Sequence, residues 1–222
     1  MPRTTATRRK TAKKPTRRRK KTNKRKLEER RKFLLVLMFV ILAIMSVVVL
    51  RSCFMTIDIS KLNYPSYIKQ DFIDQDGHSR TGRDMKRVND IVIHYVANPG
   101  SSAKANRDFF NSSQSRVSAH FVVGLKGEVI QCVPLDEQSS ASNDRNPDTI
   151  SIEVCHPDAS GKFNDKTYGA LIKLTAWLCD EFGLDEKDVI RHYDITGKDC
   201  PKYYVEHSDA WKKLKKDVKK AL

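Results

Sequence analysis

Two histidines and a cysteine in this chain have the types and the spacing of zinc ligands. His94 lies near the end of an apolar run, Asp90–Tyr95, and His192 lies in a second run, 189–193. Both runs have the length and β-branched content of strands, so strand ends can carry the two imidazoles into one cleft. Cys200 follows His192 across a loop that a glycine allows to turn. Two imidazoles and one thiolate can bind Zn²⁺ and leave a fourth position for water, as in catalytic zinc sites.

The remaining histidines and cysteines fit ordinary structural roles. Spacing alone leaves an alternative open: His94 and His192 could be ordinary core or surface histidines with their hydrogen bonds made, and Cys200 could be a free thiol. Three histidines fall outside the ligand positions and are expected in loops or on the surface: His78, His156 and His207. Three cysteines lie on apolar runs and are expected to be buried thiols, although a disulfide among them is possible outside the cell: Cys132, Cys155 and Cys179.

The elements that must position the candidate ligands alternate between strands and helices. A hairpin turn is predicted at Lys126-Gly127, and Gly183 ends a helix predicted at 167–182. We therefore predict an α/β fold, a single domain over residues 66–207 with a central mixed β-sheet flanked by helices. The predicted strands are apolar, β-branched runs at 90–95, 120–125, 128–133, 149–154 and 189–193.

Four blocks of this domain resemble a known family. The sequence is similar to the zinc-dependent N-acetylmuramoyl-L-alanine amidases of type 2, which include AmpD-like and phage lysozyme-like amidases and peptidoglycan recognition proteins. The resemblance implies a hydrolase that cleaves the amide bond between N-acetylmuramic acid and L-alanine in cell-wall peptidoglycan. The resembling blocks are IVIHY (91–95), VSAHFVVGLKGEVIQCVP (117–134), TISIEV (149–154) and RHYDITGKDCP (191–201).

The resemblance also implies roles for individual residues. His94, His192 and Cys200 would bind Zn²⁺, the cofactor. Glu153 would be the general base, and Lys198 would hold the oxyanion. These roles are chemically sound, because a carboxylate can move the proton of a water and an ammonium stabilises negative charge on a carbonyl oxygen. A surface salt bridge is the alternative for each of the last two residues.

The chain departs from the family pattern at two places. Ala119 stands before His120 where some members have tyrosine, which fits the AmpD-like arrangement with a catalytic glutamate. We assign His120 to structure or to the cleft wall, where it would contact substrate. The A-W-H-A-G segment of many members is replaced by QSSASN (138–143). The substrate contact of that missing histidine is therefore absent or is made by Asn143.

The strong positive charge of the chain is confined to one end. Of 42 Lys+Arg and 27 Asp+Glu, residues 1–32 hold 17 basic and two acidic residues, whereas the rest of the chain holds 25 of each. This distribution argues against a basic nucleic-acid-binding domain and predicts no specific nucleic-acid partner. The low-complexity composition of residues 1–32 predicts a disordered basic tail.

Residues 33–50 form an uncharged apolar run of 18 residues, which predicts one transmembrane helix. The basic tail predicts a cytoplasmic N-terminus, so residues 51–222 would face the outside of a single-pass cell-membrane protein, with 51–65 as a linker. Three alternatives remain open: a buried core helix, a cleaved secretory signal, and a lipoprotein processing site at Cys53.

The last segment, 208–222, is predicted to be a basic amphipathic helix. Trp211, Leu214, Val218 and Leu222 fall on one stripe and six lysines lie elsewhere. A solvated lysine face is the simpler interpretation, although acidic lipids or wall polymers are possible partners.

Two functions are compatible with the sequence. The first is a membrane-anchored zinc amidase of the cell wall, with peptidoglycan as substrate. The second is a non-catalytic peptidoglycan receptor module. Binding-only members of the superfamily typically lack the cysteine ligand, so Cys200 favours the enzyme.

Overall fold

A computed structural model describes residues 17–54, 58–75 and 79–222 of the chain. The chain divides into two compact units, Met1–Cys53 and Phe54–Leu222. The helix α1 (Arg17–Phe54) covers the described part of the first unit and ends at the first residue of the second. The described residues of the second unit contain a six-stranded sheet, five α-helices and two 3₁₀ helices, Ile59–Lys61 and Asn143–Asp148.

Helix α1 corrects the prediction that the whole basic tail is disordered, because residues 17–32 are helical. Lysine, arginine and glutamate are good helix formers, and Glu28 and Lys32 have the i,i+4 spacing of a stabilising pair. A helix that already exists in the apolar segment also extends into the tail without a second nucleation step. Residues 1–16 lie outside the described part of the chain.

The apolar segment of α1 is exposed over its described side chains. Residues 33–47 are all exposed, with Phe33 at 68% and Val47 at 61%. Among the described residues, no helix meets the length and apolarity needed to cross a bilayer. The side chains of residues 48–50, which end the predicted span, and of Cys53 lie outside the described part.

The sheet of the second unit is mixed, as predicted. The strands are β1 (Ile68–Gln70), β2 (Asp90–Tyr95), β3 (Phe121–Val123), β4 (Val129–Gln131), β5 (Thr149–Val154) and β6 (Val189–Arg191). Their order in the sheet is β1-β4-β3-β5-β2-β6, and all neighbours are parallel except the hairpin β3–β4. Gly127 closes that hairpin with φ +84°, a conformation that glycine adopts without strain.

Side chains alternate between the two faces of the sheet, and each face packs on different helices. Ile91 and Ile93 of β2 lie in a core with the long helix α3 (Asp165–Phe182). Val122 of β3 lies in a second core with the short helix α2 (Ala103–Phe110). The flanking helices predicted from the sequence are therefore confirmed.

Helix α6 (Ser208–Ala221) completes the first core through its apolar stripe. Trp211, Leu214 and Val218 are buried against α3 and the sheet, whereas Leu222 is 55% exposed. The helix has the apolar stripe described for the sequence, except that Leu222 does not join its buried part. Burial of a leucine side chain contributes about 2 kcal/mol to the free energy of folding. The buried stripe therefore stabilises the packing of α6 on the domain.

Several elements differ from the prediction, and β3 and β4 are shorter than the predicted runs 120–125 and 128–133. Strand β1 was not predicted, because its sequence Ile-Lys-Gln has one apolar residue and no alternation. The last predicted strand ends at Arg191, and His192 instead begins the helix α4 (His192–Thr196). Asp194 accepts a hydrogen bond from the backbone of Arg191, which caps the helix start and ends the strand. A further short helix, α5 (Lys202–Glu206), precedes α6.

Candidate active site

The register of the sheet places His94 beside Glu153. Strands β2 and β5 are parallel neighbours in which His94 is paired with Glu153, and Glu153 is paired with Val122 of β3. Paired residues on adjacent strands point to the same side, here the face that packs on α2. Both functional side chains thus emerge near the carboxyl ends of parallel strands, where α/β sheets commonly bind ligands.

A short helix and a glycine turn bring His192 and Cys200 to the same place. Strand β6 runs next to β2, so His192 starts α4 alongside the end of β2. Gly197 ends α4 in the left-handed conformation, with φ +75°. The backbone N–H of Tyr193 then donates to the carbonyl of Cys200 over 2.9 Å, which fixes the returning loop.

The three candidate ligands converge as a buried cluster. One ligand atom of each of His94, His192 and Cys200 lies within 4.8 Å of those of the other two. His94 Nδ1 is 3.8 Å from Cys200 Sγ, and the two imidazole rings are 4.6 Å apart between centroids. Tetrahedral Zn²⁺ separates nitrogen and sulfur ligands by about 3.5 Å, so these residues fit the ion.

The electrostatics of the cluster also suit a cation. Burial, followed by the charges of His192 and Lys198, holds the pKa of His94 well below its usual value, and burial and Lys198 lower the pKa of His192. Both shifts favour the neutral ring, the form that binds a metal. Burial raises the pKa of the Cys200 thiol to about 12, and a bound cation would offset this penalty by stabilising the thiolate.

Glu153 lies next to the ligand cluster. Its Oε1 is 4.0 Å from His94 Nδ1, its side chain is 20% exposed, and its Oε2 has no hydrogen-bond partner among the described residues. Burial raises the pKa of Glu153 to about 8, partly offset by the positive charge of Lys198. A carboxyl group with a raised pKa and an oxygen that has no partner among the described residues, located beside a cluster of candidate metal ligands, has the properties of a proton-transfer group.

A cleft of about 890 Å³ opens above the cluster. Lys198 is exposed and lines this cleft together with the three candidate ligands and Glu153. Phe109 and Val117 add apolar surface to the lining, each 49% exposed, and Arg116 adds a charge. The cleft thus combines a reactive floor with surface for a substrate that is partly apolar and partly anionic.

A comparison of the sequence with family models identifies the domain. A model described as N-acetylmuramoyl-L-alanine amidase matches residues 84–203, more than half of the chain. The chain belongs to this family. The resemblance seen in the four sequence blocks is therefore confirmed, and the matched region of the amidase-family domain contains the whole cleft floor.

Known relatives of the amidase-family domain carry the same name. The N-acetylmuramoyl-L-alanine amidase BlyA of Bacillus subtilis (strain 168) is 33% identical over an alignment of 175 residues that covers 69% of this chain and 47% of the relative. The amidase CwlL of Bacillus licheniformis is 30% identical over an alignment of 172 residues that covers 70% of this chain and 47% of the relative. The chain thus spans about half the length of these curated relatives.

Solved structures share the fold. A mutant endolysin from Bacillus subtilis superimposes with a TM-score of 0.60 at 29% identity, covering 71% of this chain and 99% of the endolysin. The catalytic domain of XlyA also gives 0.60 at 29% identity, covering 68% of this chain and 98% of that domain. These matches confirm the α/β fold of the second unit.

The two residues predicted to contact substrate have different positions. Asn143 lines the cleft, and its Oδ1 lies 3.1 Å from His192 Nε2. His120 is fully buried, and its ring nitrogens contact Ser151 and the carbonyl of Glu137. His120 is not among the described residues that line the cleft, so its position favours the structural alternative that the sequence left open.

The remaining described histidines lie where the sequence predicts them. His156 is in the loop after β5, as expected, but it is only 1% exposed, because its ring packs on Tyr95 and its Nδ1 contacts the carbonyl of Asp158. His207 is exposed as expected, and His78 lies outside the described residues. Four cysteines are buried free thiols: Cys132, Cys155, Cys179 and Cys200.

The burial of His120 predicts that the domain loses stability in mild acid. Burial lowers the pKa of His120 from 6.5 to about 4, so the folded protein resists a proton that the unfolded chain accepts. Stability from this group is complete above pH 6.5 and is lost as the pH falls toward 4. We expect about 2 kcal/mol of the fall in unfolding free energy between about pH 7 and about pH 5 to come from His120.

Urea unfolding of the chelator-treated chain at the two pH values measures this effect. His120→Gln should remove that share of the pH dependence, and His207→Gln, which changes an exposed histidine, should keep it. An unchanged pH dependence in His120→Gln would show that another group is responsible.

Proposed function

We propose that this chain is a membrane-anchored zinc hydrolase that cleaves the amide bond between N-acetylmuramic acid and L-alanine in peptidoglycan. The observation that carries the proposal is the convergence of His94, His192 and Cys200 beside Glu153 on the floor of one cleft. The amidase family and the names of the relatives support the choice of bond.

The zinc part of the proposal is supported by the ligand set. Two neutral imidazoles and a buried thiol are ligands that Zn²⁺ accepts, and three protein ligands leave one position for water or substrate. When bound, the ion polarises water and the amide carbonyl at neutral pH.

Residues of the chain supply the proton transfers and charge stabilisation in this proposal. Glu153 takes a proton from the attacking water while the oxygen of that water bonds to the carbonyl carbon of the amide. The same carboxyl group then delivers the proton to the nitrogen of L-alanine as the C–N bond breaks, which leaves a free carboxylate and a free amine. Lys198, on the cleft wall, stabilises the negative charge on the carbonyl oxygen between these steps.

Product analysis tests the activity. The full chain in detergent, incubated with purified peptidoglycan, should release new amino-terminal alanine, detected by mass spectrometry. A chelator should abolish the release and added Zn²⁺ should restore it. New reducing ends instead of free alanine would indicate a glycosidase, and binding without any product would indicate the receptor alternative.

The membrane anchor is supported by residues 33–50, which form 18 uncharged apolar residues after a basic segment. In this proposal residues 1–32 lie in the cytoplasm and the amidase domain lies outside the cell, where peptidoglycan is found. The exposed lysines of α6 would then face acidic lipids or wall polymers.

Extraction of membranes tests the anchor. The full chain should stay in the membrane pellet through an alkaline carbonate wash, because about 20 apolar residues suffice for insertion. Leu42→Lys combined with Met45→Lys should release it, since each charge at the centre of a span costs about 2.5–3.5 kcal/mol. Two lysines added in the basic segment, at Thr16 and Thr22, are the control. Release of the unmodified chain by the wash would contradict the proposal.

A further inference from the structure

Asn143 contacts the candidate zinc ligand His192 through one ring nitrogen. Its Oδ1 lies 3.1 Å from His192 Nε2. An amide oxygen accepts and cannot donate, so Nε2 carries the proton and donates it. In a neutral imidazole the lone pair then lies on Nδ1. We infer that Asn143 is a positioning residue that holds His192 in the ring orientation and tautomer required for metal binding through Nδ1.

The backbone conformation at Asn143 and the hydrogen bonds of the neighbouring turn fix the position of its side chain. Its φ is +53°, in the left-handed region that asparagine tolerates better than most residues. Asn146 fixes the preceding turn, because its Oδ1 accepts hydrogen bonds from Ala141 N over 3.1 Å and from Ser142 N over 2.6 Å. Arg145 ties the same segment to Asp90 and Asp148, beside the starts of β2 and β5.

The two candidate histidine ligands differ in the hydrogen bonds that their rings make. His94 lies within strand β2, is 2% exposed, and its Nε2 has no hydrogen-bond partner among the described residues. His192 is the first residue of a five-residue helix at the cleft, is 7% exposed, and has Asn143 as a hydrogen-bond partner at Nε2. An outer hydrogen bond to a ligand histidine fixes its ring and tautomer in metal sites. Asn143 supplies that bond to His192, whereas His94 Nε2 has no such partner among the described residues.

This inference rests on the proposed zinc site, and its test includes a measurement that needs neither metal nor activity. The full chain is compared with Asn143→Gly, which removes the acceptor and tolerates the positive φ, and with Asn143→Asp, which keeps an acceptor. Asn63→Gly, at an exposed asparagine outside the cleft, is the matched control. Proton NMR of the metal-free chain in detergent follows the His192 Nε2 proton, assigned by its absence in His192→Gln. Chelator competition gives the dissociation constant for Zn²⁺.

The expected result is a hydrogen-bonded Nε2 proton signal in the original chain and in Asn143→Asp that is lost in Asn143→Gly. Zinc affinity should fall about 10–100-fold in Asn143→Gly and recover in Asn143→Asp. Unchanged zinc affinity in Asn143→Gly, or a rise in KM alone, would overturn the inference and make Asn143 a substrate contact. Failure of the original chain to bind zinc would refute the metal site, whereas the proton signal would still report the Asn143–His192 contact.

Discussion

Replacing Cys200 by serine is expected to remove both zinc and activity. The thiolate is the only anionic ligand of the three, so its loss weakens the site more than loss of one neutral contact. A hydroxyl keeps its proton near neutral pH and is a poor ligand for Zn²⁺. Losing several kcal/mol of charge stabilisation corresponds to a fall in activity of about 10³-fold or more.

Two further variants make this experiment specific to the metal. Cys179→Ser changes another buried free thiol, located in α3 away from the cleft, and should keep both zinc and activity. Cys200→Asp restores an anionic ligand and should regain part of the zinc content. Zinc is measured by elemental analysis of the purified chain, and hydrolysis by release of amino-terminal alanine. A full zinc content in Cys200→Ser would remove Cys200 from the ligand set.

The sheet that carries the site could be predicted because its strands are strongly patterned. Asp90–Tyr95 and Thr149–Val154 are rich in β-branched residues, and the structure has strands with these bounds. Both strands are central and buried, so propensity and packing agree along their whole length. Their pairing in register, which sets His94 beside Glu153, depends on contacts between distant segments and could not be read from either strand alone.

Predictions from the sequence were wrong or incomplete where local and tertiary effects compete. The segment around His192 reads as a strand, but its capping interaction with Asp194 starts a helix there, which turns the imidazole toward the cleft. His156 follows a strand and carries no apolar pattern, so its burial against Tyr95 was not predicted. The contact of Asn143 with His192 joins residues 49 positions apart and has no local signal at all.

The prediction of disorder for the basic tail was incomplete for a different reason. Its composition predicts disorder when residues 1–32 are taken alone, because such a segment buries no apolar surface. In the chain it adjoins a long apolar segment, and α1 begins at Arg17. Propagation from an existing helix costs far less than nucleation, so a neighbour can decide the conformation of a segment whose own composition does not.

Replacing Glu153 by glutamine is expected to abolish turnover while zinc stays bound. Glutamine has nearly the same size and fills the same position, but its amide cannot accept and return a proton. Loss of a general base costs about 10²–10⁴-fold in kcat. Since Glu153 lies 4.0 Å from His94 and outside the set of His94, His192 and Cys200, the zinc content should not change. Glu128→Gln, at an exposed glutamate, is the control and should keep full activity.

The pH profile provides an independent test of the same role. Burial raises the pKa of Glu153 to about 8, and positive charge from Lys198 and a bound cation opposes that shift. Only the ionised carboxylate can take a proton from water, so kcat/KM should fall as the pH drops through this pKa, at a value below 8 in the zinc-loaded chain. The residual activity of Glu153→Gln should lack this acidic limb.

If the limb persists while kcat is reduced, the titrating group is another residue and Glu153 acts by orienting substrate or water. If zinc is lost from Glu153→Gln, the carboxylate belongs to the metal site itself, and the division of roles between ligands and base must be redrawn.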